Sequence, residues 1–251
     1  YGEYAWQFLN QYLAESDDFG ILDLLDHYVV YRAMVRAKVL AISGDRSGQI
    51  GRFTETALAT CRRQSCRQVV ITHGVSGSGK SWLGSRVAAR YGVVQIRSDA
   101  IRKHLGGVGQ RDSSHSALDD DIYQPAYTEQ VYRELAKRAE QILSAGYCVM
   151  VDATFLKPEY RDLLRRTAGE CGAGFSILHT TASREVLTRR LVARQADEME
   201  ISEAGQAVLD RQLSDYAELS PEEKSSCVEV DTGNFDEAAD LDTIAVRLGL
   251  V

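Results

Sequence analysis

Apolar residues recur at helical spacing through the first forty positions: Tyr4, Phe8 and Leu9, then Leu22, Leu25, Val29, Ala33 and Val39. Steps of about three to four residues place such side chains on one helix face. Between the two runs, Ser16-Asp17-Asp18 and Gly20 supply turn and cap chemistry. The pattern predicts a helical hairpin, a break at Ser43-Gly44-Asp45-Arg46-Ser47-Gly48, and a third helix from Gln49 to Arg63. From Gln68 the period changes. Val69-Val70-Ile71, Val93-Val94-Gln95-Ile96, Val149-Met150-Val151, Phe175-Ser176-Ile177-Leu178 and Cys227-Val228-Glu229-Val230 are short apolar runs with helical patterns between them. Strands that are apolar throughout are buried on both faces, so the alternation predicts a parallel sheet between helical layers. The expectation is a helical segment over residues 1–65, then an α/β domain over 66–251 with a five-stranded, mainly parallel sheet. Ligands of such sheets bind outside the carboxyl ends of the strands. The residues that follow each run are therefore the ones to inspect.

Composition removes several function classes. At 251 residues the chain is long enough for one large domain, or one domain with an appendage. It is 44% apolar and 26% charged, the balance of a globular protein rather than a disordered one. No apolar run reaches the roughly 18 residues of a membrane span, and no signal-like segment opens the chain, so a cytoplasmic protein is expected. Because it opens on Tyr1 rather than Met, a fragment or processed product is expected. The net charge of −7, from 29 Lys+Arg against 36 Asp+Glu, disfavours a nucleic-acid coat, which needs a basic face. The five cysteines are odd in number and include no CxxC pair. Cys148 and Cys227 lie in strand-like runs and read as small apolar thiols in a reducing compartment; a pair or a metal site made by Cys61 and Cys66 is the disfavoured alternative.

One motif changes the picture. Gly74-Val75-Ser76-Gly77-Ser78-Gly79-Lys80-Ser81 satisfies G-x-x-x-x-G-K-[ST], with an apolar strand before it and a helix-compatible run from Trp82 to Tyr91 after it. Glycines let main-chain N–H groups turn inward around phosphate oxygens, and the following helix N-terminus adds positive potential. Lys80 is expected to bridge the β- and γ-phosphates of a nucleoside triphosphate, and the Ser81 hydroxyl to ligate Mg2+. A GTPase switch needs an Asn-Lys-x-Asp base reader, but the two asparagines, Asn10 and Asn234, have no such surroundings. A hydrolysing motor carries an Asp-Glu pair at a strand end, and here the strand ends Val151-Asp152-Ala153. A phosphotransferase remains.

Each part of a phosphotransferase has a candidate. Asp99, in Arg97-Ser98-Asp99-Ala100-Ile101-Arg102, ends the second strand and is placed to take a proton from an acceptor hydroxyl. Its alternative is a helix cap, worth about 1 kcal/mol. Arg102, one turn on, is a candidate acceptor contact or a solvated charge. Asp152 is placed to hold Mg2+ through water, or to close a strand-end turn. Arg189, Arg190 and Arg194 lie on a predicted helix, with Arg190 and Arg194 one turn apart. Such arginines arrive at transferred phosphates when a lid closes, or else form an exposed basic face. Residues 106–122 lack periodicity and lead to Tyr123 and Tyr127, a substrate-side position.

These residues resemble a known group. From about Gln68 onward the chain looks like the P-loop kinases related to polynucleotide 5′-hydroxyl kinase, zeta toxins and gluconate kinase. Within that group it is most similar to ATP-binding predicted kinases found alone or fused behind an aminoglycoside-phosphotransferase-like domain. The resembling stretches are the loop at Gly74–Ser81, Arg97–Arg102, Val151-Asp152-Ala153-Thr154-Phe155-Leu156 with Arg161, Arg189–Arg194, and Val208-Leu209-Asp210-Arg211-Gln212. The resemblance implies a three-layer P-loop kinase fold with ATP and Mg2+ as cofactors. It implies Asp99 as acceptor base, Arg190 and Arg194 as phosphate clamps, and Arg189 as a nucleotide contact. Arg102, Tyr123 and Arg161 would lie on the acceptor side, and Asp231-Thr232-Gly233 near the adenine. The implied function is phosphoryl transfer from ATP to a hydroxyl of a small molecule. A polynucleotide 5′-hydroxyl kinase and a non-catalytic ATP-sensing module are the alternatives. The first helices, from Asp26 to Lys38, resemble the last helices of the aminoglycoside-phosphotransferase-like domain, which implies the carboxyl half of a fusion with a catalytically silent start.

Overall fold

The computed structural model describes residues 2–44, 47–62, 67–106, 125–197 and 216–251. Three helices open the chain: α1 (Glu3–Ser16), α2 (Leu22–Ile42) and α3 (Gln49–Arg62), with a single 3-10 turn, Phe19–Ile21, before α2. There follow β1 (Gln68–His73), α4 (Lys80–Tyr91), β2 (Val94–Arg97), α5 (Ser98–Leu105), α6 (Pro125–Ser144), β3 (Val149–Asp152) and α7 (Pro158–Glu170). The rest is β4 (Gly174–Thr181), α8 (Arg184–Asp197), α9 (Pro221–Ser225), β5 (Cys227–Asp231) and α10 (Glu237–Arg247).

The five strands form one sheet in the order β2-β3-β1-β4-β5, and every neighbouring pair is parallel. The expected mainly parallel sheet is thus wholly parallel. All six residues of β1 are buried, because helices cover both faces. Val69 and Ile71 pack with Val131, Leu135 and Ile142 of α6 and Leu164 of α7. Val70 faces the opposite layer, with Leu83 and Val87 of α4 and Leu241 and Ile244 of α10. β1 runs two residues beyond its apolar run. Thr72 and His73 are polar yet buried, and pair in register with Leu178 and His179 of β4.

The opening helices do not stand apart from this body. Trp6 and Leu13 of α1 join the same apolar layer as β1. Asn10 completes the edge of the sheet: its side chain donates to the Val93 carbonyl at 3.1 Å and accepts from the Gln95 N–H at 2.9 Å. Arg138 of α6 pairs with Asp17, and the Tyr147 hydroxyl donates to Asp26 at 2.9 Å. Helices α2 and α3 pack mainly on each other and leave Tyr28, Tyr31 and Met34 exposed. Among the described residues no helix is long and apolar enough to cross a membrane.

The cysteine reading needs one correction. Cys148, at the head of β3, is buried but disulfide-bonded rather than a free thiol. Cys61, Cys171 and Cys227 are free, and burial pushes the Cys227 thiol up to about 11. Cys66 lies outside the described residues.

Candidate active site

The loop between β1 and α4 bends where a side chain has no room. Gly74 has φ +144°, and a Cβ there would stand 2.6 Å from the Thr180 carbonyl oxygen. Gly79 has φ +89°, and its Cβ would press on Thr232 at 3.0 Å. Both positions therefore need glycine on conformational and steric grounds. The Ser78 and Thr180 hydroxyls are 2.8 Å apart, fastening the loop to β4. Lys80 opens α4 and donates from Nζ to the Val75 carbonyl at 2.8 Å. Its ammonium thus lies over the concave side of its own loop.

A cleft of about 580 Å³ opens above the carboxyl ends of the strands. Ser76, Gly77, Gly79, Lys80, Ser81 and Trp82 line its floor. Ser98, Asp99, Asp152, Ala153 and Thr154 line one end, and Arg190, Leu191, Thr232, Gly233 and Phe235 the other. Strand order makes this division. Asp99 follows β2 and Asp152 ends β3, on one side of β1, whereas Thr232 and Gly233 follow β5 on the other.

Asp152 is the buried acid of the cleft, 4% exposed. The Thr72 hydroxyl lies 3.3 Å from its Oδ1 and Arg97 Nε 3.5 Å from its Oδ2, Arg97 being its register partner across β2 and β3. Asp99 stands exposed in the first turn of α5. The residue capping α5 is Arg97, which makes no side-chain cap bond, so Asp99 is not the cap residue. Ser81 and Asp152 offer a hydroxyl and a carboxylate on one cleft, hard oxygen donors of the kind Mg2+ takes alongside phosphates and waters. The donor set fits that ion.

Arg190 also reaches the cleft, but its hydrogen bonds are to protein. It donates to the Gly77 carbonyl at 3.1 Å, the Thr232 hydroxyl at 2.7 Å and the Thr232 carbonyl at 2.9 Å. The Thr232 hydroxyl in turn donates to the Ser78 carbonyl at 2.8 Å. The arginine thus ties α8 to the phosphate loop and to the turn after β5. Arg189 is exposed on α8. Arg194 lies on the same helix, but its side chain is outside the described residues, as are Tyr123, Arg111, His115, Asp119–Asp121 and Val208–Gln212.

Three sequence candidates are placed differently from expectation. Arg161 does not face the cleft: it is 1% exposed and grips Glu223 with two bonds, Nε–Oε1 at 2.6 Å and Nη2–Oε2 at 3.1 Å. It also donates to the Phe155, Leu156 and Glu218 carbonyls. Burial alone would raise the Glu223 pKa, but the hydrogen bonds from Arg161 and the Ser220 N–H outweigh it and hold it below the usual range. Arg161 is thus a structural cation, because the strand-end loop it anchors has carbonyls that need donors. Asp231 spends its carboxylate on the Gly233 N–H and the Asn234 side chain, at 2.9 and 2.8 Å. It shapes the turn from below rather than lining the cleft. Arg102 stands over the Tyr127 ring at 6.0 Å and lies 3.4 Å from the Thr128 hydroxyl, beside the cleft rather than in its lining.

The sequence reading also passed over two features. Trp82, next to the motif's last residue, and Phe235 form an aromatic edge on the cleft, and the position of Trp82 right after Ser81 was the available signal. His73, directly before Gly74, is fully buried, and neither ring nitrogen finds a hydrogen-bond partner among the described residues. Its ring lies 4.8 Å from that of His179 and 5.2 Å from that of Tyr216. Burial first, and then His179, push its pKa down to about 3.

The wholly parallel five-stranded sheet, with a phosphate loop after its central strand, has the P-loop kinase fold. The chain belongs to the family described as AAA domain, whose model matches residues 69–219. It is 29% identical over 213 residues to uncharacterized proteins of Mycobacterium tuberculosis and Mycobacterium bovis, covering 83% of this chain and 43% of theirs. The chain thus spans less than half the length of these curated relatives. Among solved structures it is similar to a sugar kinase from Janibacter sp. HTCC2649, with a TM-score of 0.50, 24% identity, and coverage of 74% of this chain and 96% of that one. A putative kinase from Chloroflexus aurantiacus J-10-fl gives 0.55 and 17%, covering 72% and 98%. The Mycobacterium tuberculosis APS kinase, solved with AMPPNP and APS, gives 0.52 and 19%, covering 73% and 98%. At these identities the likeness is one of fold.

Proposed function

We propose that this chain transfers the γ-phosphoryl group of ATP, with Mg2+, to a hydroxyl of a small molecule. The observation that carries this reading is the convergence of Lys80, Asp99 and Asp152 on one cleft. The triphosphate lies along the loop, held by main-chain N–H groups and the N-terminus of α4. Lys80 exchanges the Val75 carbonyl for phosphate oxygens, a short swing of a flexible side chain. Ser81 and Asp152 would hold Mg2+, which neutralises charge on the phosphates when bound.

The acceptor enters at the β2–β3 end. Asp99 takes the proton of its hydroxyl as the new O–P bond forms and the bond to the leaving ADP breaks. Exposure of the Asp99 carboxylate keeps it available to an incoming group. Arg97 and Thr72 hold Asp152 in place meanwhile. Arg190 acts at one remove, by fixing Gly77 and Thr232. The opening helices place no residue in the cleft, and no catalytic part is assigned to them.

Asp99→Asn separates binding from chemistry, since the amide keeps the shape and loses the basicity. It should bind ATP as the wild type does and transfer phosphoryl about 10²- to 10⁴-fold more slowly. Turnover equal to wild type would remove Asp99 from the mechanism.

A further inference from the structure

Helix α1 meets the body of the protein along one stripe. Trp6, Asn10 and Ala14 recur at steps of four and so share a helix face. Buried Trp6 covers Gly92, where a Cβ would stand 2.9 Å from its ring. Asn10, one turn on, is half-buried against β2. Ala14, a further turn on, accepts at its carbonyl from His104 Nε2 of α5 at 3.0 Å. Beyond it, Asp17 pairs with Arg138 of α6.

Strand β2 lies at the edge of the sheet and pairs only with β3. Main-chain groups on the outer side of such a strand have no ladder partner. Asn10 takes that place for one step. Its amide donates to the Val93 carbonyl at 3.1 Å and accepts from the Gln95 N–H at 2.9 Å, as the peptide of a neighbouring strand would. A leucine would form the helix more readily, so the asparagine is there for its paired donor and acceptor. Gln95 also accepts from the Ser85 hydroxyl at 3.0 Å, which joins the clamped residue to α4.

The clamp holds the acceptor end of the cleft. Asp99 stands four residues after Gln95, in the first turn of α5. Asn10 grips the strand before it, and the Ala14 carbonyl grips the helix after it. These two points lie about 6 Å apart along one helix. The Asp99 carboxylate is exposed, and among the described residues no hydrogen bond fixes it. Its place in the cleft is set by its backbone.

We infer that Asn10 is a positioning residue for Asp99, and that α1 belongs to the phosphotransfer body rather than to an appendage. This rests on the reading of Asp99 as the acceptor base. A misplacement of about 1 Å, caused far from the chemistry, can cost about 100-fold in rate. A loosened β2 edge is therefore felt at the base, four residues on.

A double-mutant cycle on the full chain tests this, read as transfer from γ-labelled ATP to a pool of hydroxylated metabolites and as ATP affinity by calorimetry. Asn10→Leu keeps the volume and removes both hydrogen bonds. It should slow transfer about 5- to 100-fold and leave ATP affinity within about threefold of the wild type. In the Asp99→Asn background the same change should alter the rate by less than about twofold, since a misplaced amide has no basicity to lose. Asn10→Asp still accepts from Gln95 and loses only the donor to Val93, and His104→Leu releases the other end of the span. Both should act in the same direction in the same cycle, so the result does not hang on how well Asn10→Leu folds. Equal slowing in both backgrounds, ATP affinity falling together with the rate, or wild-type transfer in all three variants would overturn the inference while Asp99 kept its role. No transfer by the wild type, or Asp99→Asn as fast as the wild type, would overturn the phosphotransfer reading and the inference together.

Discussion

Arg190 donates to both oxygens of Thr232, the hydroxyl at 2.7 Å and the main-chain carbonyl at 2.9 Å. Since that hydroxyl also donates to the Ser78 carbonyl, one threonine joins α8, the turn after β5 and the phosphate loop. Thr232→Val keeps the volume and removes the node. It should destabilise the chain by about 1–3 kcal/mol, because a partner of a charged donor is lost in a buried place. It should also raise the KM for ATP more than it lowers kcat. Thr232→Ser should recover most of both, as chemical denaturation and steady-state kinetics would show.

Arg161 and Glu223 offer a test of structure against binding. Removing one member of a buried ion pair leaves the other charge uncompensated, so Arg161→Ala should cost about 3–5 kcal/mol. Replacing both, as Arg161→Met with Glu223→Leu, should cost less than Arg161→Ala but remain destabilising, because the Phe155, Leu156 and Glu218 carbonyls and the Ser220 N–H lose their partners as well. ATP affinity measured well below the melting temperature should be unchanged in either. A selective loss of acceptor affinity, with stability intact, would instead return Arg161 to the substrate side.

His73 should set part of the acid limb of stability. The unfolded imidazole takes up a proton near pH 6.5, which the folded one refuses until about pH 3. Stability is therefore lost as pH falls through that window, by up to about 1.4 kcal/mol per pH unit. Glu223 acts in the same direction lower down: its pKa is depressed on folding, so its contribution is present above the ordinary carboxylate range and lost as pH drops through the lowered value. His73→Phe removes a ring with two unpartnered nitrogens. It should be neutral or stabilising at pH 7 and give a flatter decline toward pH 4 in calorimetric melts.

Gly74 separates the loop's conformation from its charge. A Cβ there would meet the Thr180 carbonyl at 2.6 Å and the Ser78 hydroxyl at 2.8 Å, on a backbone at φ +144°. Gly74→Ala should thus lose triphosphate binding although Lys80 and Ser81 remain. Titration with tripolyphosphate reads this directly.

Much of this was legible in the sequence, for a physical reason in each case. Strands buried on both faces must be apolar throughout, so Val69-Val70-Ile71 and Val149-Met150-Val151 declared themselves. The phosphate loop did too, since the cradle dictates its spacing. The order of the strands was not legible, because nothing local says that β3 lies between β1 and β2. Nor was the extension of β1 through Thr72 and His73, which depends on pairing with β4. Arg161 sat in a stretch resembling a substrate site, and only packing reveals Glu223 as its partner. Arg190 lines the cleft, but its bonds to Gly77 and Thr232 join elements far apart in the chain, and no local pattern announces them.

The most direct measurement is to incubate the chain with Mg2+, γ-labelled ATP and a pool of hydroxylated metabolites, and to follow the label. Label should move to an organic product with one ADP released per transfer. Asp99→Asn should slow the transfer about 10²- to 10⁴-fold while leaving ATP affinity as in the wild type. ATP bound tightly with label never reaching an organic hydroxyl, or transfer undiminished in Asp99→Asn, would contradict the assignment.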